Sequence, residues 1–532
     1  MLIIGLAFIM CAYIAAPVFG GGQGGAAASA AVNPNMNLSG LPIVKNTETY
    51  SIAMRMVALS RNTMPEKESV IKAERDTNIK VNWMEIAVAG WEERLNIMFA
   101  SGDLPDAIIQ STNVMMNLSQ LKDVTDIVEV YSPVLAKFYK ERPDIKSLMT
   151  APDGRMYSLP AGSEIPWTKT PDGLLINKTW LDAMKLPVPV TTDDFYNVLK
   201  VFRDNDMNGN GDRNDEIPFG FCQSDGQATL RSMFGSFGVL DNVEHLQVIN
   251  NVVTFTPTRP EFLEALRYFN KLFSERLMDM EGFSQQIQQY TAKGRAIPLI
   301  YGSFVSFSQM NHVGADSAQH YMPMAPLKGP RGDQLWNKQR GTGINQNGFV
   351  ITKKCRSPET LIRWYDYINS SLQIILEWDM GPENLGWAYT SDGKWESIMH
   401  NVPAGSAWGE IRHTAGVGSA GPQLGAVYDY NAPHIRNIST DTNTLMRVET
   451  QAMHEAFWPA AVLPAALEEP QVLQERAIMQ TDIDNYIRNF IATAVMNGIT
   501  DAQWNEHLRN IDRLPVTKYV ESYQTMFNRS LR

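Results

Sequence analysis

The segment Asp206-Met207-Asn208-Gly209-Asn210-Gly211-Asp212-Arg213-Asn214-Asp215-Glu216 packs oxygen donors into one short turn. Side-chain oxygens at positions 1, 3 and 5, glycine at 6 and a carbonyl donor at 7 match the opening of a calcium loop. A hard cation that takes about six to eight oxygens needs such a turn to wrap it. Position 12 holds Ile217 where such loops carry glutamate, so Asp215 and Glu216 must close the shell one or two residues early. Asp206, Asn208, Asn210 and Glu216 are therefore expected to bind one structural calcium, with Asp212 giving its carbonyl and Asp215 a further oxygen. The plain alternative is a solvated Asn-Gly turn. Crowded carboxylates repel one another, and an ion would remove that repulsion while fixing the turn.

Other chemistry is sparse. Gly416-Val417-Gly418-Ser419-Ala420-Gly421 spells GxGxxG, yet Pro422 follows at once and Arg412-His413-Thr414 makes a poor strand. A dinucleotide motif needs a strand before it and a helix after it, so this reads as a glycine-rich loop. No G-x-S-x-G, H-E-x-x-H or P-loop sequence occurs. Cys222 and Cys355 lack the spacing of a zinc or redox pair. A carboxylate pair for glycoside hydrolysis is set by a separation of ~5–9.5 Å in space, so a glycan-active enzyme stays open. Trp167, Trp336, Trp387 and Trp408 lie in Gly- and Pro-rich loops, where a ring can stack on a pyranose as readily as pack. Trp91, Trp180, Trp364 and Trp504 fall on helical patterns, and Trp83 and Trp395 beside a strand and a turn; all six read as packing.

These residues need elements to hold them. Ser51 to Leu59 and Ile79 to Trp83 read as strands, with a charged surface helix over Pro65 to Thr77 between them. Trp91, Leu95, Met98 and Phe99 share one face of a helix that Gly102 can cap. Leu104 to Ile109 follows as a buried strand. That β-α-β-α-β order predicts a largely parallel sheet with helices on both sides. Ser357-Pro358-Glu359 opens another helix, buried through Leu361, Trp364, Tyr365 and Ile368. Met479, Ile483, Tyr486, Ile487 and Phe490 repeat at helical spacing until Gly498, and Thr500 with Gln503 forms a capping box for the last section. The fold class is α/β with a helical C-terminal section.

A chain of 532 residues calls for at least two packing units. Its 46 Lys and Arg against 57 Asp and Glu leave a net charge of −11, which argues against gripping a nucleic-acid backbone. Leu2 to Phe19 carries no charge and Gly20 to Ala31 is almost all small residues, so residues 1–40 are expected to be an export signal and tether. Ala28-Ser29-Ala30 offers a cleavage site; a short membrane anchor is the alternative. Cys11 follows Met10 rather than a small residue, which leaves lipidation undecided. Either way the bulk of the chain is expected outside the cytoplasm, in the cell envelope.

Asn78-Ile79-Lys80-Val81-Asn82-Trp83, leading to Ala100-Ser101-Gly102-Asp103-Leu104-Pro105-Asp106, resembles the N-terminal signature of family 1 extracellular solute-binding proteins of ABC importers. Asp153 to Pro160, Leu174 to Leu181, Gly348 to Ile351 with Pro358-Glu359, Arg363 to Asp366 and Phe490-Ile491 to Trp504 continue the resemblance in order. The calcium-type loop is similar to that of the large alginate-binding members. The resemblance implies a two-lobed periplasmic-binding-protein-like fold whose hinge closes on an oligosaccharide for delivery to an ABC permease, as a monomer and without catalysis. A ligand-presenting sensor partner is the other alternative. It also implies discontinuous lobes, the first from 48–167 plus about 339–415, the second from about 168–338 plus 416–532. By analogy the cleft is expected to use Asp103, Trp167, Tyr301, Ser303, Trp387, Trp408 and Arg412. Tyr301 and Ser303 enter because they follow the apolar stretch Ala296 to Ile300. Asp103 and Arg412 would bond hydroxyls or an acidic sugar, or else form an ordinary salt bridge.

Overall fold

In chain order the strands are β1 (Glu48–Met56), β2 (Ile79–Ala87), β3 (Ala107–Ile109), β4 (Leu159–Gly162), β5 (Gly173–Asn177), β6 (Ile217–Gly220), β7 (Leu246–Ile249), β8 (Val252–Phe255), β9 (Tyr301–Ser306), β10 (Tyr321–Pro323), β11 (Ile344–Ile351), β12 (Trp387–Tyr389), β13 (Trp395–Ser397) and β14 (Arg436–Asn437). They belong to a computed structural model that describes residues 33–531 except 58–59, 113, 225, 342 and 399–407. The expected export run, its cleavage site and Cys11 lie outside the described residues.

The first lobe is built on the sheet β2-β1-β3-β11-β4. Neighbouring residues of one strand serve opposite faces. Ile52, Ile109 and Ile351 enter one core, while Ala53, Ile108 and Val350 enter the other with Trp91, Leu95, Met98 and Phe99. Helices therefore cover both sides, as the β-α-β-α-β order predicts. β1, β2 and β3 are parallel, but β11 runs antiparallel to both β3 and β4. The departure has a simple cause: the chain reaches β11 from the other lobe and so enters the sheet from the opposite end.

The second lobe carries the sheet β10-β5-β9-β6. Its core joins Phe195, Leu199 and Phe202 of helix Thr192–Asp204 to Phe262, Leu266 and Phe269 of helix Pro260–Ser274. Met479, Ile483, Ile487 and Ile491, spaced by four along helix Pro470–Asn497, complete that core. Gly498 ends this helix at φ 82°, and the Thr500–Gln503 capping box starts the next. A small third sheet, β12-β13-β14, packs Trp387, Trp395 and Tyr430 against Leu376 and Met380 of helix Leu372–Met380.

Two expected boundaries shift. The tether does not reach residue 40, because the Glu48 carboxylate gathers the side-chain amides of Asn33 (2.9 Å) and Asn35 (2.7 Å) and the Tyr50 hydroxyl (2.6 Å). Met36, Ile43 and Val44 are buried beside them. The first lobe likewise does not stop at 415, since Val417, Ala420 and Leu424 belong to its core.

The long C-terminal helix is tied to its lobe by a buried histidine. His245 Nδ1 meets Asp241 at 2.8 Å and Nε2 meets Asp484 at 3.3 Å, with Arg231 3.9 Å from Asp241. Burial works against a charge on His245, but the two carboxylates outweigh it and hold its pKa up to about 9. A pKa raised on folding stabilises fully below the unfolded value and is lost as pH rises through the folded one. His245→Gln should therefore cost about 2 kcal/mol at pH 6, with a deficit that shrinks steadily as the pH approaches 9 and beyond. Urea unfolding of both proteins across that range checks the sign.

Candidate functional site

The chain crosses between lobes from β4 to β5, from β10 to β11, and from Leu424 toward helix Thr442–His454. These crossings flank two adjoining cavities that share Ile165, Asp379, Arg412 and Tyr430. The first lobe supplies Arg55 near the end of β1 and Gln110 just past β3. Asn311 and Asn443 come from the second lobe, and Trp395 and Arg436 from the small sheet. Ligands of open α/β sheets bind beyond the carboxyl ends of the strands, which is where Arg55 and Gln110 sit.

Asp379 organises one wall. It stands at the end of helix Leu372–Met380, 3% exposed, and accepts bonds from Arg412 Nη2 (2.6 Å) and Nε (3.2 Å) and from Gln423 Nε2 (3.2 Å). The Tyr430 hydroxyl lies 3.4 Å from its other oxygen. Burial opposes the charge of Arg412, yet Asp379 beside it raises the guanidinium pKa above its ordinary value. The helix that carries Arg412, Trp408–Ala415, is held from outside. The Lys67 ammonium donates to the carbonyls of His413 (2.7 Å), Thr414 (3.1 Å) and Gly416 (3.0 Å), placing a cation at the helix C-terminus. Desolvation brings the Lys67 pKa down to about 8. The glycine-rich loop follows, as expected without a dinucleotide fold. A Cβ on Gly416 would lie 2.5 Å from the Asp379 carbonyl, so only glycine lets the loop pass.

Arg436 organises the other wall. Its guanidinium lies 4.4 Å over Trp395 and 5.1 Å from the Trp167 ring centre, and bonds Asp441 (2.7 Å) and Asn431 (2.9 Å). Asp441 also caps helix Thr442–His454 through the Thr444 amide at 3.0 Å. Trp395 and Tyr430 stack at 5.6 Å with planes 13° apart.

The structure redistributes the residues expected from sequence. Arg412 lines both cavities, and Trp167 sits under Arg436 while remaining 7% exposed. Trp387 is buried behind the wall, its Nε1 donating to the Gly381 carbonyl at 2.7 Å. Trp336 is buried in the second lobe with Nε1 on Asp172. The side chain of Trp408 lies outside the described residues. Asp103 is exposed before β3, at the far end of that strand from Gln110. Tyr301 and Ser303 are corrected: β9 begins at Tyr301, because Pro298 breaks the apolar stretch before it. Tyr301 is buried with its hydroxyl 3.1 Å from Asp279, and Ser303 Oγ donates to Leu175 at 2.6 Å. The strand ends instead at Ser306, paired with Gly173 where the chain enters from the first lobe. Asp379 and Tyr430 carried no local signal, since their partners are distant in sequence; Arg436 and Asp441 are near neighbours that pair with each other, and sequence reasoning passed over them. A separate, more apolar cavity around Leu240, Val243, Leu246 and Leu463 draws on the second lobe and a crossing segment only.

The acidic turn can be tested for calcium on its own atoms. Asp206 accepts the amides of Gly209 (2.7 Å) and Gly211 (2.8 Å), and Asp215 accepts the Asn208 (3.1 Å) and Asn210 (2.6 Å) side-chain amides. Glu216 Oε1 accepts the Met207 amide at 2.7 Å. Turned this way, no three His, Cys, Asp or Glu side chains converge on a point among the described residues. Yet Asp215 Oδ1 and Glu216 Oε2 are buried with no partner. Burial, and then the neighbouring Asp215, raise the Glu216 pKa. Two stranded carboxylate oxygens in a turn rich in oxygen-bearing side chains are chemistry that a hard cation fits.

Residues 61–370 match the family described as bacterial extracellular solute-binding protein. The fructooligosaccharide ABC transporter substrate-binding protein FusA of Streptococcus pneumoniae is 28% identical over 513 residues, 94% of each chain. The structure of FusA with kestose superposes with a TM-score of 0.81 at 26% identity, covering 91% of this chain and 99% of that one. An EF-hand mutant of FusA with fructo-nystose gives a TM-score of 0.81 at 25% identity, with the same coverage.

Removing the Asp379 carboxylate leaves Arg412 uncompensated and strips bonds from Gln423 and Tyr430. Asp379→Ala should lose about 3–5 kcal/mol of first-lobe stability, the usual cost of orphaning one half of a buried pair. Arg412→Met with Asp379→Leu together should recover much of it. Chemical denaturation of the single and double variants reads both values.

Proposed function

The chain belongs to the bacterial extracellular solute-binding proteins, and from that membership we propose that it captures an oligosaccharide between its lobes and hands it to an ABC transporter permease. The observation that carries this reading is the cavity at the crossing segments, where both lobes contribute polar side chains around the stacked Trp395–Tyr430 pair. A cavity walled by aromatic rings and a few fixed polar groups suits the mixed apolar and hydroxyl surface of a sugar. A ligand that touches both walls stabilises the closed arrangement over the open one, so binding and hinge closure are one event. Similarity to FusA along nearly the whole chain supports a carbohydrate. Family membership supports a site outside the cytoplasmic membrane, and no helix of the described residues is long and apolar enough to cross a bilayer.

Binding without catalysis is the reading the cavity favours. Among the described residues its acidic lining is Asp379 and Asp441, each committed to an arginine and to further hydrogen bonds. Neither carboxyl is placed to carry and hand over a proton, as a glycosidase pair must.

Asp206, Asn208, Asn210, Asp215 and Glu216, with the Asp212 carbonyl, would hold one calcium ion remote from the cleft. Bound there, the ion would neutralise the crowded carboxylates and lock the turn between helix Thr192–Asp204 and β6; sugar recognition needs no metal. The FusA structure named as an EF-hand mutant supports a comparable site in a relative.

A thermal-shift screen against linear oligosaccharides should give a raised melting temperature with a subset of them and no product on prolonged incubation. Silence across the panel, or turnover, would overturn the capture reading. Trp395→Ala should weaken binding of any hit by ~1–3 kcal/mol, the range for a packed aromatic anchor. Calcium added after chelation should stabilise the native chain by about 1–3 kcal/mol at saturating concentration, following mass action, and Asp206→Ala should abolish that gain. A native melting point indifferent to calcium removes the metal.

A further inference from the structure

The charges around the cleft do not balance. Arg412 is neutralised by Asp379 and Arg436 by Asp441, but Arg55 is a third lining arginine with no carboxylate of its own among the described residues. Its Nε is buried and unpartnered. Glu85, on the neighbouring strand, turns an oxygen to the Met64 amide at 2.9 Å instead. Behind the opposite wall the pattern recurs. Arg447 lies one turn beyond Asn443 and Thr444, which line the cavity, and so shares their helix face. It rests 3.3 Å over the Phe307 ring, just past the end of β9, again with its Nε buried and unpartnered. Burial alone pushes the Arg447 pKa down to about 9, the mark of a cation with no acid beside it. A chain of net charge −11 has thus placed one unpaired cation on the first-lobe wall of its cleft and a second directly behind the lining residues of the other wall.

Resting on the oligosaccharide-capture reading, we infer that the cleft is built for a sugar chain bearing carboxylates, a uronate oligosaccharide, recognised by Arg55 from the first lobe and Arg447 from the second. Closing the lobes strips water from both guanidinium groups. Hydroxyls of a neutral sugar can satisfy N–H donors but leave the charge unbalanced in a dry cleft. A carboxylate satisfies both, and its two oxygens match the planar fork of arginine. Selectivity would arise because each wall gains its counter-charge only when the acidic sugar bridges the two. This departs from kestose, the neutral sugar held by FusA.

Calorimetric titration of the full chain with trigalacturonate, with its methyl ester, and with kestose tests the inference. The acid and the ester share one skeleton and differ in charge. The acid should bind at least ~10-fold tighter than the ester in low salt, with an advantage that narrows as salt rises. Arg55→Gln and Arg447→Gln should each cut the acid-to-ester ratio by ~10-fold, while Arg55→Lys retains part of it. Because the ratio is measured within one variant, a partial loss of folded protein does not mimic the effect. Equal binding of acid and ester, a ratio unchanged in both Gln variants, or binding of kestose alone overturns the inference and leaves sugar capture standing. No binding of any of the three, with no hit in the wider glycan screen, overturns both.

Discussion

A single buried carboxylate sets the geometry of the cleft. Asp379 ends one helix, draws in the guanidinium of a second and takes a bond from Gln423 beyond the glycine-rich turn, so three separate stretches of chain share one charge. Such a group tolerates no halfway arrangement, because any member that moves away leaves a desolvated charge behind. The wall it builds is therefore rigid, and rigidity there makes the opposing wall the natural place for adjustment. Arg436, set against two indoles and tied to the cap of a helix, extends the same logic toward the second lobe.

Passing a chain back and forth between lobes imposes its own constraint. Each crossing brings backbone to the cleft edge, and that backbone must be narrow. A Cβ on Gly162 would stand 2.8 Å from the Gly343 carbonyl, and one on Gly343 would stand 2.5 Å from the Ser163 carbonyl, so at this point two crossings pass only because both positions are glycine. The antiparallel insertion of β11 follows from the same routing. In the proposed capture, hinge and binding surface would be one set of residues, and ligand contact would be felt as closure.

Much of the scaffold was legible in the sequence because its determinants are local. The helix through Trp91 and Phe99, its Gly102 cap, the Thr500 capping box and the periodicity of Met479 to Ile491 each depend on residues within a few turns of one another. The cleft was not, because its determinants are contacts at long range: Asp379 with Arg412, Trp395 with Tyr430, Arg436 with Trp167. Trp395 illustrates the difference. Its turn predicts a packed ring, which it is, but nothing nearby reveals that the packed surface also walls a cavity. Tyr301 and Ser303 were misplaced by one strand's length, since an apolar run broken by Pro298 looks like a strand until the pairing partners of β9 are known. The turn at Asp206 is the opposite case, a polar motif whose spacing predicts a tight turn, and its carboxylates do bond amides within that turn.

The lysine that caps the Arg412 helix reaches across 346 positions of sequence to do so. The first sheet shares this long reach, for β3 has no neighbour on its outer edge until β11 has been made. The leading half of the polypeptide therefore cannot complete either its sheet or its buried cation site while the trailing half is still emerging. Non-local closure of this kind delays consolidation until late in the chain's release. For a protein whose family works outside the cytoplasm, such a delay would suit passage of an unfolded chain, and the topology that makes a hinge would also time the moment of folding.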